Sequence, residues 1–226
     1  MTALSQISVQ PDLLERIHAA LVEAICTGEL APGERITQEQ LAERLGVSRQ
    51  PVIQALLLLK NQGLIVDTDN RRGMLIAPLN AEFVGHLYKL RASLDSLAAK
   101  LASGNRHPDL KSEGNLLIER GKKSAASGSL SDVVQADLAF HDFIYRASGN
   151  PLLIESAKLH WHHTRRAMSW YLKQASAMRP VWVEHQQILN AVIAGDGRAA
   201  ERLSRRHAED SINVLFSSFL AAEQVA

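Results

Sequence analysis

Apolar residues recur at intervals of three and four along most of the chain, which is the spacing of helices that bury one face. In the N-terminal third this pattern predicts three short helices. The first ends at Gly28. The second begins with a capping-box pattern at Thr37 and ends at Gly46. The third begins at the N-cap residue Ser48 and ends before Gly63.

Two short runs of aliphatic and β-branched residues interrupt the helical pattern. They occupy residues 64–66 and 74–76 and flank a polar loop that ends in glycine, so they predict a two-stranded hairpin. After Pro78 no strand signal appears. Breaks at Gly, Pro, Asn and Ser residues then delimit six helical segments, at 81–103, 108–124, 130–148, 151–176, 180–194 and 197–223.

These elements predict a mainly α fold class with two domains. Three helices followed by a β-hairpin predict an N-terminal winged helix-turn-helix over residues 1–78, a unit that binds DNA. The helical segments of residues 79–226 predict an all-helical bundle of about six helices.

The third helix of a winged helix-turn-helix enters the major groove, so its outward positions are candidate DNA contacts. With its apolar residues turned inward, the residues that face out near its start are Ser48, Arg49, Gln50, Ile53 and Gln54. Arginine reads guanine and glutamine reads adenine in bidentate fashion. At the hairpin tip, Arg71, Arg72 and Gly73 suit a close approach to phosphate or to a minor groove. We expect all of these residues to contact double-stranded operator DNA.

Charge supports this placement only locally. The chain has a net charge of +1, and residues 1–80 carry seven cations against nine anions. Residues 44–72, however, carry five cations against two anions. The predicted DNA-binding surface is therefore basic although the domain is not.

Composition excludes several other classes of protein. A single cysteine, Cys26, excludes an intramolecular disulfide framework, and no uninterrupted apolar run approaches the ~18–20 residues that span a bilayer. No cationic leader precedes an apolar stretch. We therefore expect a cytoplasmic protein with no membrane partner.

Residues 10–78 resemble the N-terminal domain of the GntR family of bacterial transcription regulators. The residues that carry the resemblance follow the family's order and spacing: Ile25, Gly28, Leu30, Pro32-Gly33, Leu41-Ala42, Leu45-Gly46-Val47-Ser48-Arg49, Pro51-Val52, Ala55-Leu56, Gly63-Leu64 and Arg72-Gly73. The family usually has Arg-Glu where this chain has Ile53-Gln54. The resemblance therefore implies an atypical operator, in which Ile53 meets a thymine methyl, or an affinity that depends on Arg49 and the wing.

Ionisable residues interrupt the apolar faces of three helices in the second half. Asp137 and His141 are four residues apart and project from one helix face, the arrangement of a bidentate metal clamp. His185 and His207 likewise lie among apolar residues of two later helices. Any one of them alone is typical of a core histidine hydrogen-bonded to a neighbour. Together they favour a shared partner such as a cation, because burying them unpaired would be costly.

Other aromatic and histidine-rich segments leave several interpretations open. His160, His162 and His163 cluster in one segment, where they fit a pocket wall, a dimer surface or ordinary packing. Segments 161–171 and 215–220 carry an aromatic and apolar surplus that fits either a dimer contact or a core.

Residues 82–217 resemble the FCD type of GntR effector domain. The resemblance implies that the helical domain of residues 79–226 serves effector binding and dimerisation. The matching pieces are Arg91-x-x-Leu94-Asp95, Asp137-x-x-Phe140-His141, Gly149-Asn150-Pro151, Glu184-His185 with Ile188-Leu189 and Ala191, and Gly195-Asp196 leading to His207. The resemblance implies a divalent metal ion held by Asp137, His141, His185 and His207, with open sites that bind a small carboxylate effector. It also makes Arg91 a candidate anion contact, and we add His163 as a second candidate effector contact. Such a ligand set suits Zn, Ni, Fe or Mn without choosing among them.

The leading hypothesis is a ligand-responsive transcription regulator, a homodimeric repressor of a catabolic or transport operon that senses a small organic acid. Two alternatives stay open at this point. One is a metal-dependent hydrolase, which needs a general base that no HExxH or similar motif supplies. The other is a DNA-binding protein whose metal is purely structural.

Overall fold

A computed structural model describes residues 12–68, 73–105, 108–174 and 180–223, and it divides the chain into two units, Met1–Pro78 and Leu79–Ala226. The elements of the N-terminal unit are α1 (Asp12–Thr27), β1 (Arg35–Ile36), α2 (Gln38–Leu45), α3 (Arg49–Asn61), β2 (Ile65–Asp67) and β3 (Met74–Ile76). This is the predicted winged helix-turn-helix.

The sheet of this unit has three strands and not the predicted two. Its order is β1-β3-β2 and both pairings are antiparallel, with Arg35 opposite Leu75 and Ile36 opposite Met74. The prediction missed β1 because two residues are too few to show an alternating pattern. Pairing with β3 therefore decides that this segment is a strand.

Local sequence sets the ends of α2. The Thr37 hydroxyl accepts a hydrogen bond from the backbone N–H of Gln40 at 3.3 Å, as the capping-box pattern predicts. Gly46 ends the helix in the left-handed conformation at φ 64°, where a side chain would be strained. Ser48 occupies the N-cap position of α3 as predicted, although its side chain makes no capping hydrogen bond.

The core of the N-terminal unit lies between α1, α3 and the sheet. The inner face of α3 contributes four buried side chains, as its pattern predicts: Val52, Ala55, Leu56 and Leu59. They pack with buried apolar residues of α1 and the strands in one cluster. The buried Cys26 belongs to the same cluster.

The C-terminal unit consists, over its described residues, of six helices: α4 (Ala81–Gly104), α5 (Leu110–Ser127), α6 (Leu130–Ala147), α7 (Pro151–Gln174), α8 (Val181–Ile193) and α9 (Gly197–Glu223). Their bounds lie within three residues of the predicted ones. Helices α4 and α9 pack together along most of their length. Two apolar clusters form the interior, one around Phe140, Phe143 and Leu189 and one around Tyr88, Leu215 and Phe219.

Among the helices that the structure describes, none combines the length and the hydropathy needed to span a bilayer.

Candidate functional site

The first candidate site is the exposed side of α3 in the N-terminal unit. All five outward residues of the prediction are exposed: Ser48, Arg49, Gln50, Ile53 and Gln54. Nη1 of Arg49 lies 3.1 Å from Oε1 of Glu39 on α2, so this guanidinium is held by an exposed ion pair. Because both side chains are solvated, the pair is weak and can be exchanged for a phosphate or a base edge.

The wing is described only in part. Arg71 and Arg72 lie outside the described residues. Gly73 adopts φ 99°, and a Cβ at this position would lie 3.2 Å from Nε of Arg35. Glycine at the base of the wing therefore permits both the backbone conformation and the close approach of the Arg35 side chain.

The second candidate site is a cluster of four buried side chains inside the C-terminal unit. Asp137 and His141 come from α6, His185 from α8 and His207 from α9, and each is at most 4% exposed. Each offers one ligand atom, and these atoms lie within 4.8 Å of one another. The structure thus brings together all four residues that the sequence singled out.

The distances within this cluster fit a single metal ion. Nε2 of His185 lies 3.2 Å from Nε2 of His207 and 3.5 Å from Oδ1 of Asp137, and Nε2 of His141 lies 3.8 Å from Oδ2 of Asp137. Ligand atoms that each bind one ion at about 2.1 Å stand roughly 3–4 Å apart. Nε2 of His141 is buried without a hydrogen-bond partner among the described residues, so it has a lone pair for a ligand. The donor set therefore fits a divalent cation.

Two carboxylates behind the cluster orient its imidazoles. Nδ1 of His207 donates to Oε2 of Glu184 at 2.7 Å, and Nδ1 of His141 lies 3.4 Å from Oδ2 of Asp95. A proton on Nδ1 leaves the Nε2 lone pair directed at the centre of the cluster. The Tyr145 hydroxyl donates to the other oxygen of Asp95 at 2.6 Å.

Sequence reasoning assigned no orienting role to Asp95, Glu184 or Tyr145. Asp95 stands four residues after Arg91, and Glu184 directly precedes His185, but these spacings say nothing about which imidazole each carboxylate reaches. Only the packing of α4 against α6 and of α8 against α9 brings them to their histidines.

Arg91 lies half-buried beside the cluster and makes three side-chain contacts. Its Nε donates to Asp95 at 3.2 Å, its Nη2 to Asp137 at 3.3 Å, and its Nη1 to the Tyr88 hydroxyl at 3.5 Å. The guanidinium therefore balances the charges of Asp95 and Asp137.

Burial dominates the electrostatics of the cluster. It lowers the pKa of His141 well below its ordinary value, with further lowering by Arg91, His185 and His207, so this imidazole is neutral and suited to bind a cation. Burial also raises the pKa of Asp95, although Arg91 opposes the effect. Burial likewise raises the pKa of Tyr88, to about 12.

A cavity of about 90 Å³ adjoins the cluster. Asp137, His207 and Arg91 line one end of it. The rest of the wall is mainly apolar, and we call the following six residues the apolar wall: Ala125, Val133, Met168, Leu172, Val181 and Val214. Trp182 and Tyr171 also line the cavity, so each of α4 to α9 contributes to it. Two of the four cluster residues are thus accessible to a small ligand.

The remaining candidate residues take different positions. His163 is buried with its ring 5.0 Å from that of Phe83, and it is not among the described residues that line the cavity. The aromatic segments with two interpretations belong largely to the core, because Trp170 stacks on Phe219 at 3.8 Å and Leu215 is buried beside them.

Comparison with known proteins identifies the class. The family model described as "FCD domain" matches residues 86–210, and the model "Bacterial regulatory proteins, gntR family" matches residues 13–76. The chain belongs to the GntR family of bacterial regulators and carries an FCD domain. It is a DNA-binding transcription regulator and, like its relatives, not an enzyme.

Several individual proteins are similar to this chain. The transcriptional regulator YdhC of Bacillus subtilis is 32% identical over 136 residues, 60% of each chain. LutR, also from B. subtilis, is 33% identical over 86% of this chain and 97% of its own. A relative from Paenarthrobacter nicotinovorans, "Probable D-xylose utilization operon transcriptional repressor", is 25% identical over 92% of this chain and 90% of its own. The solved structure of Escherichia coli McbR/YncC superposes with a TM-score of 0.79 at 23% identity, covering 92% of this chain and 99% of that one, which shows a common fold.

Proposed function

We propose that this regulator is a homodimeric repressor that senses a small organic acid through a divalent metal ion. The observation that carries the proposal is the convergence of four ligand atoms within 4.8 Å at one end of a cavity in the FCD domain. The name of the P. nicotinovorans relative supports repression of a catabolic or transport operon.

The metal site would be formed by Asp137, His141, His185 and His207. A bound Zn, Ni, Fe or Mn ion supplies Lewis acidity and coordination positions beyond the four protein ligands. The protein's own part is to orient the imidazoles of His141 and His207, through Asp95 and Glu184, and to exclude bulk water by burial. Arg91 lines the cavity and remains a predicted contact of the effector carboxylate. His163 also remains a predicted effector contact, although it is not among the described residues that line this cavity.

DNA recognition would use the exposed start of α3 together with the wing. Arg49 suits guanine, Gln50 and Gln54 suit adenine, and Ile53 suits a thymine methyl. The N-terminus of α3, at Ser48, favours a phosphate. Arg71, Arg72 and Gly73 remain the proposed wing contacts.

The homodimer would have a contact on α4. Phe83, Leu90 and Leu97 recur at intervals of seven on this helix, and each is between 37% and 43% exposed. A second copy of the chain fits this face because two winged helices are needed to read two half-sites of a palindrome. Leu90→Glu is expected to shift the mass in light scattering from dimer to monomer. Leu116→Glu, on the 69% exposed Leu116 of α5, is the matched control.

Effector binding would act by shifting an equilibrium between arrangements of the two winged helices. It can do so only as far as the effector binds one arrangement more tightly than the other. A purely structural metal would require a closed site, whereas Asp137 and His207 line a cavity, which favours sensing.

The test selects a duplex from a random library with the metal-loaded protein and then measures affinity and salt dependence. Arg49→Ala should cost about 1–3 kcal/mol of binding free energy and relax the preference at one base pair. Arg16→Ala removes an equal charge from the exposed face of α1 and should leave affinity nearly unchanged. Equal affinity of wild-type protein and Arg49→Ala would contradict the assigned surface. An organic acid that leaves affinity for the selected duplex unchanged at saturation would contradict sensing.

A further inference from the structure

We propose that the effector of this regulator is a compact apolar monocarboxylate, with its carboxylate at the Asp137 and His207 end and its hydrocarbon part against the apolar wall. The inference rests on the proposed sensing function and narrows it to one class of acid.

The described lining of the cavity contains two kinds of side chain. Asp137, His207 and Arg91 lie close together, because Nη2 of Arg91 is 3.3 Å from Asp137 and the ligand atoms of Asp137 and His207 are within 4.8 Å of each other. The apolar wall makes up most of the remaining lining, together with the rings of Tyr171 and Trp182. A ligand with a charged group at one end and a hydrocarbon part at the other matches both kinds of side chain. Burial of its hydrocarbon part is favourable, whereas a buried anion needs a charged partner.

Neutral hydrogen-bonding groups are few in the described lining. The Ser211 hydroxyl donates to the carbonyl oxygen of His207 at 2.9 Å, and the Tyr88 hydroxyl accepts from Arg91. The further neutral polar groups are the Tyr171 hydroxyl and the indole N–H of Trp182, whose Nε1 is buried without a hydrogen-bond partner among the described residues. Most of the surface of a polyhydroxylated acid would therefore lie against apolar side chains, where its hydroxyls lose their water partners, and this disfavours sugar acids.

A second carboxylate finds no counter-charge in the described wall. Arg91 is the one lysine or arginine among those lining residues, and its guanidinium already binds Asp95, Asp137 and Tyr88. A dicarboxylate would place its second charge against aliphatic side chains, where an unpaired ion is strongly disfavoured. The cavity therefore selects a monoanion.

Volume sets the size of the acid. The cavity measures about 90 Å³. In the same measure of volume one water needs roughly 10–15 Å³, so the cavity admits about six to nine non-hydrogen atoms. Benzoate and hexanoate fall in this range. Glutarate and threonate serve as comparators of similar size, because the first adds a carboxylate and the second adds hydroxyls.

The experiment measures binding of these four acids to the Zn²⁺-loaded full chain by calorimetry. Benzoate or hexanoate is expected to bind at least tenfold more tightly than glutarate and threonate. Tighter binding of glutarate or threonate would overturn the apolar monocarboxylate and leave the proposed sensing function standing. Failure of the chain to take up Zn²⁺, Mn²⁺ or Ni²⁺ would overturn both, and a metal-loaded chain that binds none of the acids would overturn the inference directly.

Matched variants test whether binding occurs in this cavity. Ala125→Leu fills space at the apolar wall and should weaken the preferred acid at least tenfold while Zn²⁺ content stays at the wild-type value. Ala126→Leu makes the same change on the exposed side of α5 and should leave affinity unchanged. A second pair of variants on α8 makes the same comparison without added bulk. Val181→Thr places a hydroxyl in the apolar wall and should weaken binding, whereas Val183→Thr is the control, because Val183 is 57% exposed. Wild-type affinity of Ala125→Leu for the acid would overturn the proposal. If Ala125→Leu does not fold, wild-type affinity of Val181→Thr would overturn it.

Discussion

The two units of this regulator bury different kinds of side chain. The described core of the N-terminal unit consists of apolar residues and Cys26. All twelve buried polar or charged side chains of the described residues lie in the C-terminal unit, and seven of them are ionisable: Asp95, Asp137, His141, His163, Arg166, His185 and His207. Burying such groups costs free energy unless a partner compensates it.

The difference indicates where each unit works. The N-terminal unit keeps its interior for stability and presents its chemistry on the exposed side of α3. The C-terminal unit buries its four candidate metal ligands, Asp137, His141, His185 and His207, in its interior. A core substitution should therefore affect only folding in the first unit, and both folding and ligand binding in the second.

The largest expected effect is on the N-terminal core. Leu59→Ala removes a fully buried side chain from α3 and should lower the unfolding free energy of that unit by roughly 2–5 kcal/mol. All three tryptophans, Trp161, Trp170 and Trp182, lie in the C-terminal unit. Tryptophan fluorescence should therefore report unchanged unfolding of that unit while circular dichroism shows an earlier loss of helix.

Leu57→Ala is the control, because Leu57 is 58% exposed two residues away on the same helix. Its effect should stay within about 0.5 kcal/mol. A parallel shift of the fluorescence transition in Leu59→Ala would show that the two cores unfold as one.

A smaller effect is expected where the interior holds a ligand. His185→Ala should abolish metal uptake, measured by elemental analysis of untagged protein. The variant then lacks the stabilisation that a bound ion gives, which is about 2.7 kcal/mol at a free metal concentration of 100 times the dissociation constant. The loss should appear in the fluorescence transition, and duplex binding without effector should persist.

Gln187→Ala, on an exposed position of the same helix, should retain metal and the wild-type transition. Full metal occupancy in His185→Ala would mean that this histidine is an ordinary core residue.

A third substitution tests the wall between the core and the cavity. A Cβ on Gly121 of α5 would lie 2.0 Å from the Trp182 ring. The centroid of that ring lies 4.8 Å from the centroid of the His185 ring. Gly121→Ala should therefore destabilise the C-terminal unit by about 1–3 kcal/mol, less the up to about 1 kcal/mol that alanine usually gains in a helix. Thermal unfolding followed by fluorescence measures the balance.

Gly104→Ala should have the opposite sign, because a Cβ at the end of α4 meets nothing within 4 Å. Equal stabilisation by both substitutions would show that Trp182 is free to move away.

The smallest effect concerns the surface of the N-terminal unit. Glu39→Gln removes the partner of Arg49 and a negative charge next to the proposed DNA contacts, so duplex affinity should rise by up to about fivefold, the range of an exposed ion pair. Fluorescence anisotropy with the selected duplex measures it. Glu43→Gln is the control, because it removes the same charge at an exposed position of the same helix and leaves the ion pair with Arg49 intact. Equal gains in affinity in both variants would exclude a specific role of Glu39.

Much of the fold follows from the sequence. The helical periodicity gives the six helices of the C-terminal unit to within three residues, and the apolar positions of α3 define its inner and outer faces. Local rules suffice there, because capping, glycine conformation and the period of a buried helix face depend on neighbours along the chain. The four candidate ligands were also identified from polar residues that interrupt apolar faces.

Contacts between distant segments were decided by the tertiary structure alone. Strand β1 exists because β3 pairs with it, and Asp95 and Glu184 orient His141 and His207 because helix packing brings them within reach. Arg91, predicted from the sequence as an effector contact, lines the cavity, and packing also brings it to Asp95, Asp137 and Tyr88. The cavity is shared by six helices, so its apolar wall has no signature in any one segment. Periodicity shows that a face is buried, and only three-dimensional packing determines which atoms meet there.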